Sequence, residues 1–166
     1  MTVFHGSDIA VSEPKILPPS RLLDFGEGFY TTSSYQQAQS WAQRVKMRRN
    51  SKIQIISIYE FNISEAEKAL KIIRFNSPDT EWLHFVTACR IGKSAIDNYD
   101  IAIGPVANDN VYATIQLFET GLLSEAETII RLKVEKIYDQ ILFHTERSLK
   151  YLRYIKYENA GVAANG

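Results

Sequence analysis

The sequence is poor in cysteine and has no excess of charge of either sign. Cys89 is the single cysteine among 166 residues, which excludes an intrachain disulfide and a zinc site built from cysteines. The 19 Lys and Arg residues balance 19 Asp and Glu residues. No overall positive field therefore favours nucleic acid, whose binding needs a surplus of cations on one face. A local basic patch is still compatible with this balance.

Long hydrophobic runs are also missing. No apolar stretch approaches the about 18 residues that a membrane span needs, and the opening MTVFHGSDIA has neither the charged nor the apolar region of a secretory signal. We therefore expect a cytoplasmic protein with no membrane partner and one domain over residues 1–158. Residues 159–166 contain no large apolar side chain beyond one Val and are expected to form a disordered tail.

Common catalytic and metal-binding motifs are absent. The sequence lacks the glycine-rich signatures of dinucleotide and triphosphate sites, the HExxH zinc motif and the GxSxG nucleophile motif. His5, His84 and His144 lie far apart, and no pair of histidines or cysteines has metal-ligand spacing. We therefore expect no metal cofactor.

Short β and α signals alternate irregularly along the chain. Apolar and β-branched segments predict six strands, within residues 3–5, 28–32, 52–61, 100–103, 140–144 and 154–157. Five helices are predicted: one capped by Ser33 or Ser34, one capped by Ser77 before Pro78, one over residues 111–118 that ends at Gly121, one after the capping box of Ser124 and Glu127, and one after Thr145. This order predicts an α+β fold without regular βαβ units.

The apolar stripes of these helices are expected to face the core. They are Ala38, Trp41, Ala42 and Val45; Trp82, Phe85, Val86 and Cys89; and Val111, Tyr112, Ile115 and Phe118. A basic cluster follows the first stripe, at residues 44–49. It fits a solvated helix C-terminus, where the helix dipole favours cations, at least as well as a nucleic-acid contact.

Three short segments could carry chemistry. His5-Gly6-Ser7 ends the first predicted strand and places a ring nitrogen beside an unhindered backbone N–H and C=O, which suits a planar ligand with an amide. The segment DFGEGFYTT, residues 24–32, combines two glycines that permit a tight turn with Tyr30 as a flat stacking surface. Asp139-Gln140 begins a late strand. Taken alone, each segment is also explained as a strand end or a strand start.

In this order, the three segments resemble the ADP-ribosyltransferase superfamily. The resemblance is to its diphtheria-toxin and poly(ADP-ribose) polymerase branch, whose signature is His, Tyr and a third residue that is usually Glu. Residues 79–86, 99–109 and 139–145 are similar to the bacterial family known as domain of unknown function 3990. The resemblance covers residues 4–157 and implies a split β-sheet core with flanking helices.

The resemblance implies NAD as a co-substrate, bound in a cleft between the halves of the core. The nicotinamide–ribose bond would break through an oxocarbenium-like transition state. By motif, His5 would hydrogen-bond a ribose hydroxyl, Gly6 would hold the carboxamide, and Tyr30 would stack on the nicotinamide ring and fix its geometry. The third catalytic position is Gln140. Further nucleotide contacts are expected from Ser7, Glu27, Gly28 and Thr31, and polar lining from Asn108 and Asp109.

Gln140 is the departure from the family pattern. A neutral amide can orient the ribose 2′-OH, but it offers no negative charge to a developing cation. Three explanations are open: Gln140 suffices for mono-ADP-ribosyl transfer, a carboxylate such as Asp139 or Glu27 supplies the charge, or the domain binds a nucleotide without turnover. Strand alternation places Asp139 and Gln140 on opposite faces. Glu27 is thus the more mobile candidate, and we favour the first explanation.

The resemblance therefore implies a toxin-like mono-ADP-ribosyltransferase that acts inside a bacterium. The acceptor of ADP-ribose could be a protein, a nucleic acid or a small molecule, and a toxin would have an antitoxin protein as partner. Three alternatives remain: an NAD glycohydrolase, a catalytically silent module that binds NAD or ADP-ribose, and a protein-interaction domain.

Overall fold

The computed structural model describes residues 1–17, 23–93, 98–106, 109–133 and 138–161. Its strands are β1 (Thr2–Ser7), β2 (Phe29–Thr31), β3 (Ile55–Phe61), β4 (Ile72–Arg74), β5 (Ile101–Pro105), β6 (Asp139–Phe143) and β7 (Leu152–Asn159). Its helices are α1 (Tyr35–Arg49), α2 (Ile63–Ala69), α3 (Thr80–Arg90), α4 (Asp109–Glu119), α5 (Glu125–Leu132) and α6 (Glu146–Leu149). Within these ranges, no helix has both the length and the apolar character to cross a bilayer.

The strands form two small sheets. The first has the order β1-β3-β7 and is antiparallel throughout, whereas the second has the order β2-β6-β5-β4 and contains one parallel pair, β4 with β5. An isolated bridge between Phe4 of β1 and Thr32, directly after β2, connects their edges. The expected α+β class is confirmed, because helices and strands are mixed without a doubly wound sheet.

Both faces of the second sheet are covered by apolar side chains. On β6, Leu142 belongs to a cluster with the α3 residues Trp82 and Phe85, whereas Ile141 and Phe143 belong to a cluster on the other face. Alternating side chains of one strand point to opposite faces, so β6 contributes to both clusters. This two-sided burial explains why β5 and residues 141–143 of β6 are continuously apolar instead of alternating with polar residues.

Two elements were not predicted, and the capping hydrogen bonds of two helices differ from the prediction. Both missed elements are short: α2 has seven residues and β4 has three. The cap of α3 is Asp79, which accepts a hydrogen bond from the Trp82 N–H at 3.0 Å, and not Ser77. Thr145 precedes α6 as predicted, but its hydroxyl donates to Asp100 instead of capping the helix.

Other local predictions are confirmed. Ser34 caps α1, and the capping box of Ser124 and Glu127 begins α5. The four α3 stripe residues are buried. β7 extends to Asn159, where the tail was expected to begin, and residues 162–166 lie outside the described ranges.

Candidate active site

A cavity of about 430 Å³ lies where α1, β1, β2 and β6 meet, and we call it the cleft. It brings together His5 and Gly6 from β1, Tyr30 from β2 and Gln140 from β6. Its volume lies within the range of small-molecule sites. The three catalytic residues predicted from the sequence, and Gly6, therefore line one cavity although they come from three strands of two sheets.

The cleft opens where β1 and β2 part. The Phe4 N–H donates to the Thr32 carbonyl at 2.9 Å, and the Thr32 N–H donates to the Phe4 carbonyl at 3.0 Å. Phe4 therefore directs its backbone groups away from β3. Backbone groups alternate in direction along a strand, so Gly6 directs its N–H and C=O to this same open side. A donor and an acceptor side by side complement a primary carboxamide.

Gly6 also allows α1 to lie close to β1. A Cβ atom at this position would overlap the Ala38 carbonyl oxygen and lie 2.7 Å from the Ala42 nitrogen, both in the backbone of α1. Ala38 and Ala42 are themselves fully buried. The glycine is thus required by packing, whether or not its backbone binds a ligand.

His5 is held in one orientation and one tautomer. Its Nδ1 lies 2.8 Å from the Tyr30 carbonyl oxygen, and its ring stacks on Phe29 with a centroid distance of 4.5 Å. A carbonyl can only accept, so Nδ1 carries the hydrogen. Burial lowers the pKa of His5, and the positive charge of Arg49 adds to this effect, while the bond to the Tyr30 carbonyl opposes it. In the neutral ring, Nε2 is then an acceptor, suited to a ligand hydroxyl.

The hydroxyl of Tyr30 fixes the turn that precedes β2. It donates to the Gly26 carbonyl at 2.6 Å and accepts from the Phe25 N–H at 3.2 Å. Gly26 has φ +85°, a conformation that glycine adopts at little cost. Burial raises the pKa of Tyr30 well above its usual value, and the charge of Asp24 adds to this effect. The hydroxyl therefore stays protonated and is engaged in these two backbone hydrogen bonds. The ring is the part of Tyr30 that is available to a ligand.

Gln140 presents a neutral amide to the cleft. Its side chain is buried, and Nε2 donates to the Pro105 carbonyl at 3.4 Å. The neighbouring Asp139 accepts hydrogen bonds from the hydroxyls of Thr32 and Ser33, at 3.1 and 2.8 Å, and does not line the cleft. The opposite orientation of the two side chains, expected from strand alternation, matches these contacts.

The four residues predicted as further nucleotide contacts do not line the cleft. The hydroxyl of Ser7 donates to Asp8 at 3.4 Å, and that of Thr31 donates to the Ile141 carbonyl at 3.4 Å. The exposed Glu27 uses its carbonyl for His144, and a Cβ at Gly28 would overlap β6. Their contacts with a nucleotide stay predictions. Asn108 lies outside the described residues, as does the side chain of Asp109.

Several residues that line the cleft were predicted from the sequence to lie in the core or at a solvated helix end. Trp41 and Val45 were expected in the core, but both are only partly buried and line the cleft with Arg44 and Arg48. These four residues occupy positions i, i+3, i+4 and i+7 of α1 and thus share one face. The basic cluster is therefore not merely a solvated helix end. The sequence did contain a signal for this part of the cleft: Trp41, Arg44 and Arg48 share a face of α1 that is both aromatic and basic, next to the face of Ala38 and Ala42.

The lining of the cleft also contains an arginine, an aromatic ring and a carboxylate from outside α1. Tyr112, expected in the core, is 44% exposed, and the Arg90 guanidinium lies 4.0 Å from its ring centre. Arg90 Nη1 lies 3.9 Å from Asp24 Oδ1. Residues 24–32 were selected from the sequence for their glycines and for Tyr30. Within this segment, Asp24 is the acidic residue that lines the cleft, whereas Glu27 does not. Nothing in the sequence indicated that Asp24 and Arg90 would meet.

Comparison with known proteins gives one match. A family model described as a protein of unknown function, DUF3990, matches residues 1–154. No curated protein and no solved structure matches the chain. The matched residues include every described position that lines the cleft and all strands except the end of β7. The chain therefore belongs to the DUF3990 family.

Proposed function

We propose that this protein is an NAD-dependent mono-ADP-ribosyltransferase. One observation carries the proposal: His5, Tyr30 and Gln140, the residues that resemble the superfamily signature, line a single cleft together with Gly6. His5 and Gly6 lie on β1 and Tyr30 lies on β2, the edge strands that the Phe4–Thr32 bridge connects, and Gln140 lies on β6, which pairs with β2. Their convergence supports a common ligand better than it supports separate structural roles.

The proposed roles follow from the groups that each residue offers. The Gly6 N–H and C=O hold the carboxamide of nicotinamide, and the ring of Tyr30 stacks on its face. Nε2 of His5 accepts a hydrogen bond from a ribose hydroxyl, because Nδ1 is already committed to the Tyr30 carbonyl. Held in this way, the nicotinamide–ribose bond is fixed before it breaks, which lowers the entropic part of the barrier.

Bond breakage needs support for positive charge on the ribose. Nicotinamide leaves with the bonding electron pair, and the acceptor nucleophile then attacks the ribose carbon and loses its proton. Gln140 orients a hydroxyl but carries no charge. We assign the charge to Asp24, because it lines the cleft and interacts electrostatically with Tyr30, whereas Asp139 is bonded to Ser33 and Glu27 is exposed. A carboxylate in a partly dehydrated cleft stabilises a nearby cation more strongly than one in water.

The test is incubation with NAD labelled in its ADP-ribose part, together with a cell lysate. The wild-type protein should release nicotinamide and transfer label to protein, nucleic acid or a small molecule. Tyr30→Ala should lose both activities, and Asp24→Asn should lower the rate of nicotinamide release. Tyr157→Ala, which removes a 55%-exposed ring from β7 outside the cleft, is the matched control. Equal rates in wild type and Tyr30→Ala would refute the assignment, and free ADP-ribose without labelled acceptor would identify a glycohydrolase.

A second candidate is a module that binds NAD without turnover. The neutral amide of Gln140, donating to the Pro105 carbonyl, favours it because a carboxylate usually occupies this position in the resembling branch. Calorimetric binding of NAD with no release of nicotinamide over hours would support this function and exclude the transferase.

A further inference from the structure

Arg90, the last residue of α3, has an unusual environment. Its side chain is only 10% exposed, yet no described residue accepts a hydrogen bond from its buried Nη1 atom. The carboxylate of Asp24 is 3.9 Å away, which is too far for a hydrogen bond. A buried guanidinium normally has its donors satisfied, and an orphaned donor calls for an explanation.

The surroundings of Arg90 orient its guanidinium group but leave Nη1 without an acceptor among the described residues. The ring of Tyr112 packs against the guanidinium plane at 4.0 Å. Such stacking orients the planar group while Nη1, whose hydrogens lie in the plane, keeps its donors for another acceptor. Because Arg90 lines the cleft, an oxygen of a bound ligand can supply the missing acceptor after a small rotation of the guanidinium.

The charges around Arg90 indicate an anionic ligand. Arg44 and Arg48 of α1 line the same cleft, so its described lining residues include three guanidinium groups and one carboxylate, that of Asp24. Guanidinium groups bind phosphate oxygens through two parallel hydrogen bonds. A group with two or more negative charges therefore complements this end of the cleft better than a single carboxylate does.

We propose that Arg90 anchors a pyrophosphate-binding subsite, assisted by Arg44 and Arg48. The proposal rests on the proposed function, which it deepens by assigning this end of the cleft to the diphosphate of a nucleotide. Asp24 interacts with Tyr30 and pairs with Arg90. It thus connects the proposed nicotinamide end to the phosphate end in the order in which the groups of NAD follow one another.

The experiment is calorimetric titration of the full chain with ADP and with adenosine, which differ only in the diphosphate. The wild type should bind ADP about tenfold or more tightly than adenosine at low ionic strength, the effect of a charged hydrogen bond. Arg90→Gln should remove most of this difference, and Arg90→Lys should restore part of it. Arg131→Gln makes the same chemical change on the exposed face of α5 and should leave the difference intact.

Two measurements keep the outcome interpretable if Arg90→Gln unfolds. Arg48→Gln changes an exposed residue of the same cleft and should reduce the ADP preference by a smaller factor. Nicotinamide titrated into each variant reports the other end of the cleft and should bind unchanged. Equal affinities of the wild type for ADP and adenosine, no binding of ADP, or an ADP preference retained in folded Arg90→Gln would each overturn the subsite.

Failure of the subsite and failure of the proposed function give different results. If ADP binds through Arg90 but NAD releases no nicotinamide, the subsite stands and the transferase does not. If nicotinamide is released while folded Arg90→Gln keeps its preference for ADP, the transferase stands and the subsite does not.

Discussion

The hydroxyl and the ring of Tyr30 have separable roles, and Tyr30→Phe distinguishes them. The substitution keeps the ring that lines the cleft and removes the hydroxyl that binds the turn before β2. In the native structure this hydroxyl donates to the Gly26 carbonyl at 2.6 Å and accepts from the Phe25 N–H at 3.2 Å. Both partners are backbone groups of one turn, so the loss of these hydrogen bonds should destabilise that turn in particular.

The expected loss of stability follows from these two bonds. Each intramolecular hydrogen bond contributes about 1 kcal/mol net, and a buried donor left without an acceptor costs about 1–3 kcal/mol. We therefore expect Tyr30→Phe to lower the free energy of unfolding by about 1–3 kcal/mol. Tyr30→Ala should cost more, because it also removes ring contacts with the apolar cluster around Phe85. NAD turnover should persist in Tyr30→Phe and be lost in Tyr30→Ala.

The assay is urea unfolding of the wild type and both variants, with native-state hydrogen exchange at the Phe25 amide. Tyr35→Phe is the control, since it removes a hydroxyl that is hydrogen-bonded to Glu158 on the exposed surface. This control should change stability by no more than about 0.5 kcal/mol. Tyr30→Phe as stable as the wild type would refute the role of the hydroxyl. Loss of turnover in Tyr30→Phe comparable to that in Tyr30→Ala would refute the separation of roles.

Two other predictions concern titration in the cleft. Burial lowers the pKa of His5 in the folded protein. The unfolded chain therefore binds a proton near pH 6.5, whereas the folded chain binds it only at lower pH. The free energy of unfolding should consequently fall as the pH drops below about 6.5. His5→Asn keeps an N–H donor for the Tyr30 carbonyl and should flatten the unfolding free energy between about pH 7 and 5; an unchanged slope would contradict this. Gln140→Glu places a carboxylate against the Pro105 carbonyl and should cost about 1–3 kcal/mol at pH 7. This cost should shrink as the acid protonates at lower pH, and equal stability at pH 7 would show that the site accepts a charge.

The sequence predicted those features that depend on neighbouring residues. Strand positions, the Ser34 cap and the capping box of Ser124 follow from local patterns, and the structure has them. The short α2 and β4 carry too few residues for a periodic signal. Asp79 replaces Ser77 as the cap of α3 because its carboxylate, two residues further along, reaches the Trp82 N–H.

The cleft was predicted only in part because much of its lining depends on long-range packing. His5, Tyr30 and Gln140 were found through the resemblance. Arg90 and Asp24 meet only after α3 packs beside the turn before β2, and no spacing along the chain encodes that contact. Trp41 was assigned to the core because an amphipathic stripe does not reveal whether its aromatic residue faces the interior or a cavity beside it.

The two faces of α1 show why Gly6 cannot be tested as a binding residue by simple substitution. One face places Ala38 and Ala42 against Gly6, and the next face carries Arg44 and Arg48 into the cleft. Gly6→Ala would push α1 away from β1 and displace the basic face with it, so a loss of NAD binding would not identify the carboxamide contact. Tyr30 is the better test at the nicotinamide end, because its ring lines the cleft and packs against the cluster around Phe85, and Arg90 is the corresponding residue at the phosphate end. Substitutions at these two positions, measured with ligands specific to each end, separate recognition of the ligand from assembly of the cleft.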